Sequence, residues 1–182
     1  MKPSQLFLGT ALLAGTVALT LPNNDDVFKP GKAIPEFGKI AVVDSDVEIP
    51  EGTVFKVRFD SGRGASRGIN MTFDSVARFI NLKNAAGVSQ ENVRVAIVVH
   101  GSASLDVTKD DFYGTRKTGK KNESKSAVAK LQENNVEFYI CGQSAAHHGI
   151  EKTDLLPGVK VAHSAMTIHA LLDNDDYSLN PF

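Results

Sequence analysis

The chain has 182 residues, with 20 lysines and arginines against 21 aspartates and glutamates and a formal net charge of -1. That balance gives no electrostatic footprint for nucleic acid or anionic lipid, and the length suits one domain whose core needs neither disulfide nor metal. A hydrophobic fraction of 42% and a single cysteine exclude a disordered chain and a disulfide scaffold.

The amino-terminal segment reads as an export signal. Lys2 precedes an apolar run over residues 6–21, and Pro22-Asn23-Asn24-Asp25-Asp26 ends it. This order is the secretory pattern, and the run is shorter than the roughly 20 residues a spanning helix needs. Ala18 and Thr20 fit cleavage before Leu21, and Ala14 with Thr16 offers an alternative. We therefore expect a signal peptide over 1–20 and an exported, periplasmic product with no membrane association after cleavage. Residues 21–53, with Pro22, Pro30, Pro35 and Pro50, predict an extended arm lying on the domain, with a short strand at 39–43. Ile34, Phe37 and Ile40 make it too apolar for a free linker.

The folded unit is expected over 54–182. Residues 54–59 alternate apolar and charged side chains, which predicts a strand exposed on one face and near a sheet edge. A glycine-rich turn follows at 61–68. Phe73, Val76, Ala77, Ile80 and Asn84 recur at helical spacing, with Thr72 as a cap and Gly87 past the end. Residues 93–99 form a near-continuous apolar run, as in a central parallel strand covered on both faces, and His100-Gly101 ends it. Residues 102–122 carry Lys109, Asp110, Asp111, Arg116, Lys117, Lys120 and Lys121 without a strong pattern. A connection of that length is either a mobile lid or hides a short helix near 109–113.

The pattern then predicts a helix at 124–133 with Val128 and Leu131 inward, and a strand at 136–140. Cys141-Gly142-Gln143-Ser144 turns into a helix ending at Gly149. A short strand at 159–162, a helix at 165–172 capped by Ser164, and an edge strand at 177–179 complete the chain. Strands alternating with helices predict an α/β fold: three layers, a mostly parallel sheet with helices on both faces, and the extended arm before it.

Ligands of open parallel sheets bind outside the carboxyl ends of the strands. His100-Gly101 and Cys141-Gly142 occupy two such ends, and His163 follows a third. If these strands are neighbours, His100, Cys141 and His163 line one crevice together with Gly101, Gly142, Gln143 and Ser144. A cysteine at a helix start faces unpaired N–H groups that favour the reactive thiolate. The plainer alternative is a buried cysteine acting as a small apolar side chain. A metal is not expected: His147 and His148 diverge by about 100° on a helix, and Cys141 lies two turns from His148. No CxxC pair, Walker motif or GxGxxG fingerprint is present, and no aspartate among Asp106, Asp110 and Asp111 is singled out as the third member of a nucleophile–His–acid set.

The runs Val95-Ala96-Ile97-Val98-Val99-His100-Gly101 and Phe138-Tyr139-Ile140-Cys141-Gly142-Gln143-Ser144 resemble the DsrE/DsrF-like proteins of sulfur relay. So do Gly149-Ile150, Leu155-Leu156-Pro157-Gly158-Val159 and Ser164-Ala165-Met166, in the same order. The likeness covers roughly 54–182 and is closest to an exported branch of largely unassigned role. It implies a small α/β protein that assembles into trimers or hexamers, with no cofactor. It also implies that the cysteine at position 141 carries sulfur as a persulfide, received from or passed to a partner protein. Ser144 stands where some relatives have a second cysteine. Three readings follow: a thiol-based sulfur carrier using Cys141 and His100, a non-catalytic oligomeric binding module, and a redox sensor.

Overall fold

The computed structural model describes residues 27–181. The expected signal peptide and the start of the arm lie outside the described residues. Five strands form one wholly parallel sheet in the order β4-β3-β2-β1-β5: β1 Phe55–Ser61, β2 Val93–Val99, β3 Val136–Cys141, β4 Lys160–Ala162 and β5 Ser178–Asn180. The α-helices are α1 Met71–Ala85, α2 Asp110–Arg116, α3 Lys125–Glu133, α4 Gly142–His148 and α5 Ala165–Asn174.

The two faces of the sheet are packed differently. Val57, Phe59, Val95, Ile97, Val99, Phe138 and Ile140 alternate along their strands toward one face. There they meet Phe73, Val76, Ala77 and Ile80 of α1 and Ala127, Val128 and Leu131 of α3. Phe73 and Phe138 cross edge to face with ring centres 5.3 Å apart. The opposite face carries a smaller core in which Ala96 and Val98 pack against Ile168 and Leu172 of α5 and against Tyr177.

Three expectations change. The strand at 55–61 is not an edge strand: β2 flanks it on one side and β5 on the other. Its charged residues reflect the thinly covered face, where Lys56 and Arg58 pair with Asp175 and Asp173 at the end of α5. The 102–122 segment is no lid; of the two alternatives it takes the short helix near 109–113. Residues Gly101–Val107 wind as a 3-10 helix with Ala103, Ser104, Leu105, Asp106 and Val107 buried, and α2 follows. The arm makes a single antiparallel bridge, Lys29 to Ile40, in place of a strand. It is held by Asn81 of α1, whose side chain accepts from Ile34 N–H and donates to the carbonyls of Ile34, Phe37 and Gly38.

Candidate functional site

The strand order places the carboxyl ends of β2, β3 and β4 side by side, with Cys141 paired to Ala162. The helix after β3 leaves toward the larger core, to which Ala145 belongs, while the helix after β4 leaves toward the smaller one, to which Ala165 packs. Adjacent strands whose helices depart to opposite faces open a crevice between them, the place where such sheets hold ligands. Cys141 stands in that crevice.

Cys141 is buried, with 5% of its surface exposed, and it occupies the N-cap position of α4. Burial alone pushes the thiol pKa up. The polar groups around the sulfur outweigh it: the N–H and hydroxyl of Ser144, the N–H of Ala165 at the start of α5 and the N–H of Gln143 bring the thiol below its ordinary value. The Cys141 side chain makes no cap hydrogen bond to its own helix. The anion is thus favoured by donors from two helices on opposite faces of the sheet.

Ser144 is fixed for this role. Its oxygen accepts the N–H of Gly101 at 3.0 Å, which leaves the hydroxyl proton free to turn to the sulfur. The carbonyl of Gly101 in turn accepts from Nε2 of His148 at 3.0 Å. A Cβ at Gly142 would lie 2.7 Å from the carbonyl oxygen of Ala162. Glycine lets the start of α4 sit against the end of β4. Gln143 donates to the carbonyl of His163 at 3.2 Å, while the rest of His163 is exposed.

His100 turns to β1. Its Nε2 lies 3.0 Å from Asp60 Oδ2, and its ring covers Gly62. Asp60 also accepts from Nε2 of His169 on α5, at 2.8 Å. Asp60 was missed in the sequence because it reads as one more charged residue in an alternating strand. Its position two residues beyond Arg58, at the carboxyl end of β1, was the available signal. No trio of His, Cys, Asp or Glu among the described residues has the arrangement of a metal site.

The DsrE/DsrF-like family model matches residues 62–181. The chain belongs to the DsrE/DsrF-like family. The match spans β2 to β5 with both crevice helices, so the DsrE-like part of the chain contains Cys141 and its donors. Among solved structures, the ychN protein from E. coli has 15% identity over 69% of this chain and 97% of its own, with a TM-score of 0.50. The MTH1491 protein from Methanobacterium thermoautotrophicum has 20% identity over the same shares, with a TM-score of 0.48. At 15% identity the likeness to the ychN protein speaks to the fold alone. No curated protein matches the sequence.

Proposed function

We propose that this DsrE-like protein is a thiol-based sulfur carrier in which Cys141 is the acceptor nucleophile. The observation that carries the reading is the sulfur's place at the crevice between β3 and β4, faced by N–H and O–H donors from both α4 and α5. In the proposed step the Cys141 thiolate attacks the terminal sulfur of a sulfane donor. A sulfur–sulfur bond forms at Cys141, the donor's own sulfur–sulfur bond breaks, and the donor leaves as a thiolate that takes up a solvent proton. The same dipoles that favour the thiolate also favour the persulfide anion, so the site can hold its cargo until an acceptor thiol removes it.

Export to the periplasm and assembly into a trimer or hexamer belong to the same proposal. Met166 and Val161, 81% and 40% exposed beside the crevice, offer apolar contact to another copy or to a donor or acceptor protein. Intact-mass measurement after exposure to inorganic polysulfide tests the carrier reading. The expected result is a gain of one sulfur that a reductant removes and that Cys141→Ala abolishes. A folded protein that gains no sulfur at Cys141 refutes it.

A further inference from the structure

The groups that lower the Cys141 pKa belong to two walls, α4 and the start of α5, and Asp60 reaches a residue linked to each: His169 on α5, and His100, whose neighbour Gly101 donates to Ser144 of α4. Asp60 Oδ1 accepts Nε2–H of His169 at 2.8 Å, and its Oδ2 lies 3.0 Å from Nε2 of His100. A carboxylate only accepts, so both imidazoles present a proton at Nε2. His169 lies one helical turn after Ala165, on the same side of α5, and the Ala165 N–H faces the sulfur. His100 is joined directly to Gly101, whose N–H is held by the Ser144 oxygen, and the Ser144 hydroxyl also faces the sulfur.

The other charged ties between α5 and β1 lie toward the end of the helix: Arg58 with Asp173, and Lys56 with Asp175 just beyond it. The half of α5 that meets the crevice is tied to the sheet through His169 and Asp60. Asp60 itself keeps its charge: burial pushes its pKa up, but the hydrogen bonds and charges of His100 and His169 prevail and lower it.

We propose that Asp60 is a positioning residue for Cys141, bracing through His169 and His100 the two walls whose N–H and O–H groups face the sulfur. The idea rests on the reading of Cys141 as a working thiolate. Asp60 has no contact with the reacting sulfur and acts through the backbone of α5 and of Gly101.

The test is the titration of Cys141 in the full mature chain, followed by the NMR shift of its isotope-labelled Cβ. One cysteine gives one signal, whether or not reagents reach it. Asp60→Asn is expected to raise the thiol pKa and lower the thiolate fraction at neutral pH by about fivefold, part of one charge-assisted hydrogen bond. His169→Ala should give part of that shift, His169→Gln should restore the parent value, and His169→Ala should add nothing in the Asp60→Asn background. An unchanged pKa in a folded Asp60→Asn protein overturns the proposal. If Asp60→Asn does not fold, the His169 pair decides: a shift in the alanine variant reversed by glutamine supports the role, and no shift in either overturns it. A Cys141 that titrates as predicted yet takes up no sulfur refutes the carrier reading and leaves the positioning role in place.

Discussion

Two aspartates near the carboxyl ends of the strands have opposite environments. Asp60 is half exposed between two histidines that lower its pKa. Asp106 is buried to 1% exposure in the 3-10 helix after β2, where loss of water raises its pKa against the hydrogen bonds from Asn70 and the Ala65 N–H and the charge of Lys117. Its Oδ2 accepts from Ala65 N–H at 2.8 Å and Asn70 Nδ2 at 2.7 Å, while Oδ1 has no hydrogen-bond partner among the described residues. The buried group ties the 61–70 turn to the 3-10 helix; the open one joins the end of β1 to His100 and to α5. Burial depth, more than residue type, separates the two jobs.

The comparison breaks most visibly at Asn70. This buried residue caps α1 by accepting Thr72 N–H, its side chain donates to Asp106 and to the Arg63 carbonyl, and its backbone N–H donates to the Ser124 hydroxyl oxygen. Asn70→Ala should cost about 2–4 kcal/mol in urea unfolding, from the lost cap and the unsatisfied carboxylate. A loss under about 1 kcal/mol would mean that the Asp106 cluster does not organise the fold.

On the rim the large effects should be chemical. Ser144→Ala removes the hydroxyl facing the sulfur and should lower the thiolate fraction of Cys141 by about tenfold, read from the pH profile of its titration. Asp60→Asn, by contrast, should change stability by less than about 1 kcal/mol, as surface pairs do. An equal stability loss at Asp60 and Asn70 would erase the distinction between the clusters.

The smallest effect concerns pH. The folded chain holds the Asp106 proton more tightly than the unfolded chain does. The stability this contributes is therefore fully present below about pH 3.8 and is lost as pH rises through the raised folded value. Asp106→Asn should flatten that part of the stability curve, measured by urea midpoints between about pH 4 and 7. Asp60 has the opposite sign: its contribution is present above 3.8 and is lost as pH falls through its lowered value. A steeper curve in Asp106→Asn would reverse the assignment.

Much of this was legible in the sequence. Apolar periodicity located all five strands and the long helices, and the end of an apolar run located Cys141, because those signals are local. Several features were not legible. The pairing of Asp60 with His100 and His169 spans 40 and 109 residues, which no spacing rule reaches. Ser144 was placed in the crevice by the sequence, but that its oxygen holds the Gly101 N–H, 43 residues away, was not. Residues 101–107 showed no pattern because a 3-10 helix has a period of three and here buries Ser104 and Asp106 with its apolar residues. Asn81 held the arm from within an apolar helix face, where a polar residue among Ala77 and Ile80 was the sign to read.

The central claim is that Cys141 accepts sulfur. The most direct measurement is intact mass of the native chain after inorganic polysulfide, with and without reductant, beside Cys141→Ala. The account predicts one added sulfur, lost on reduction and absent from the variant. A wild-type chain that gains no sulfur while folded, yet whose cysteine reacts with the same polysulfide once unfolded, would contradict it.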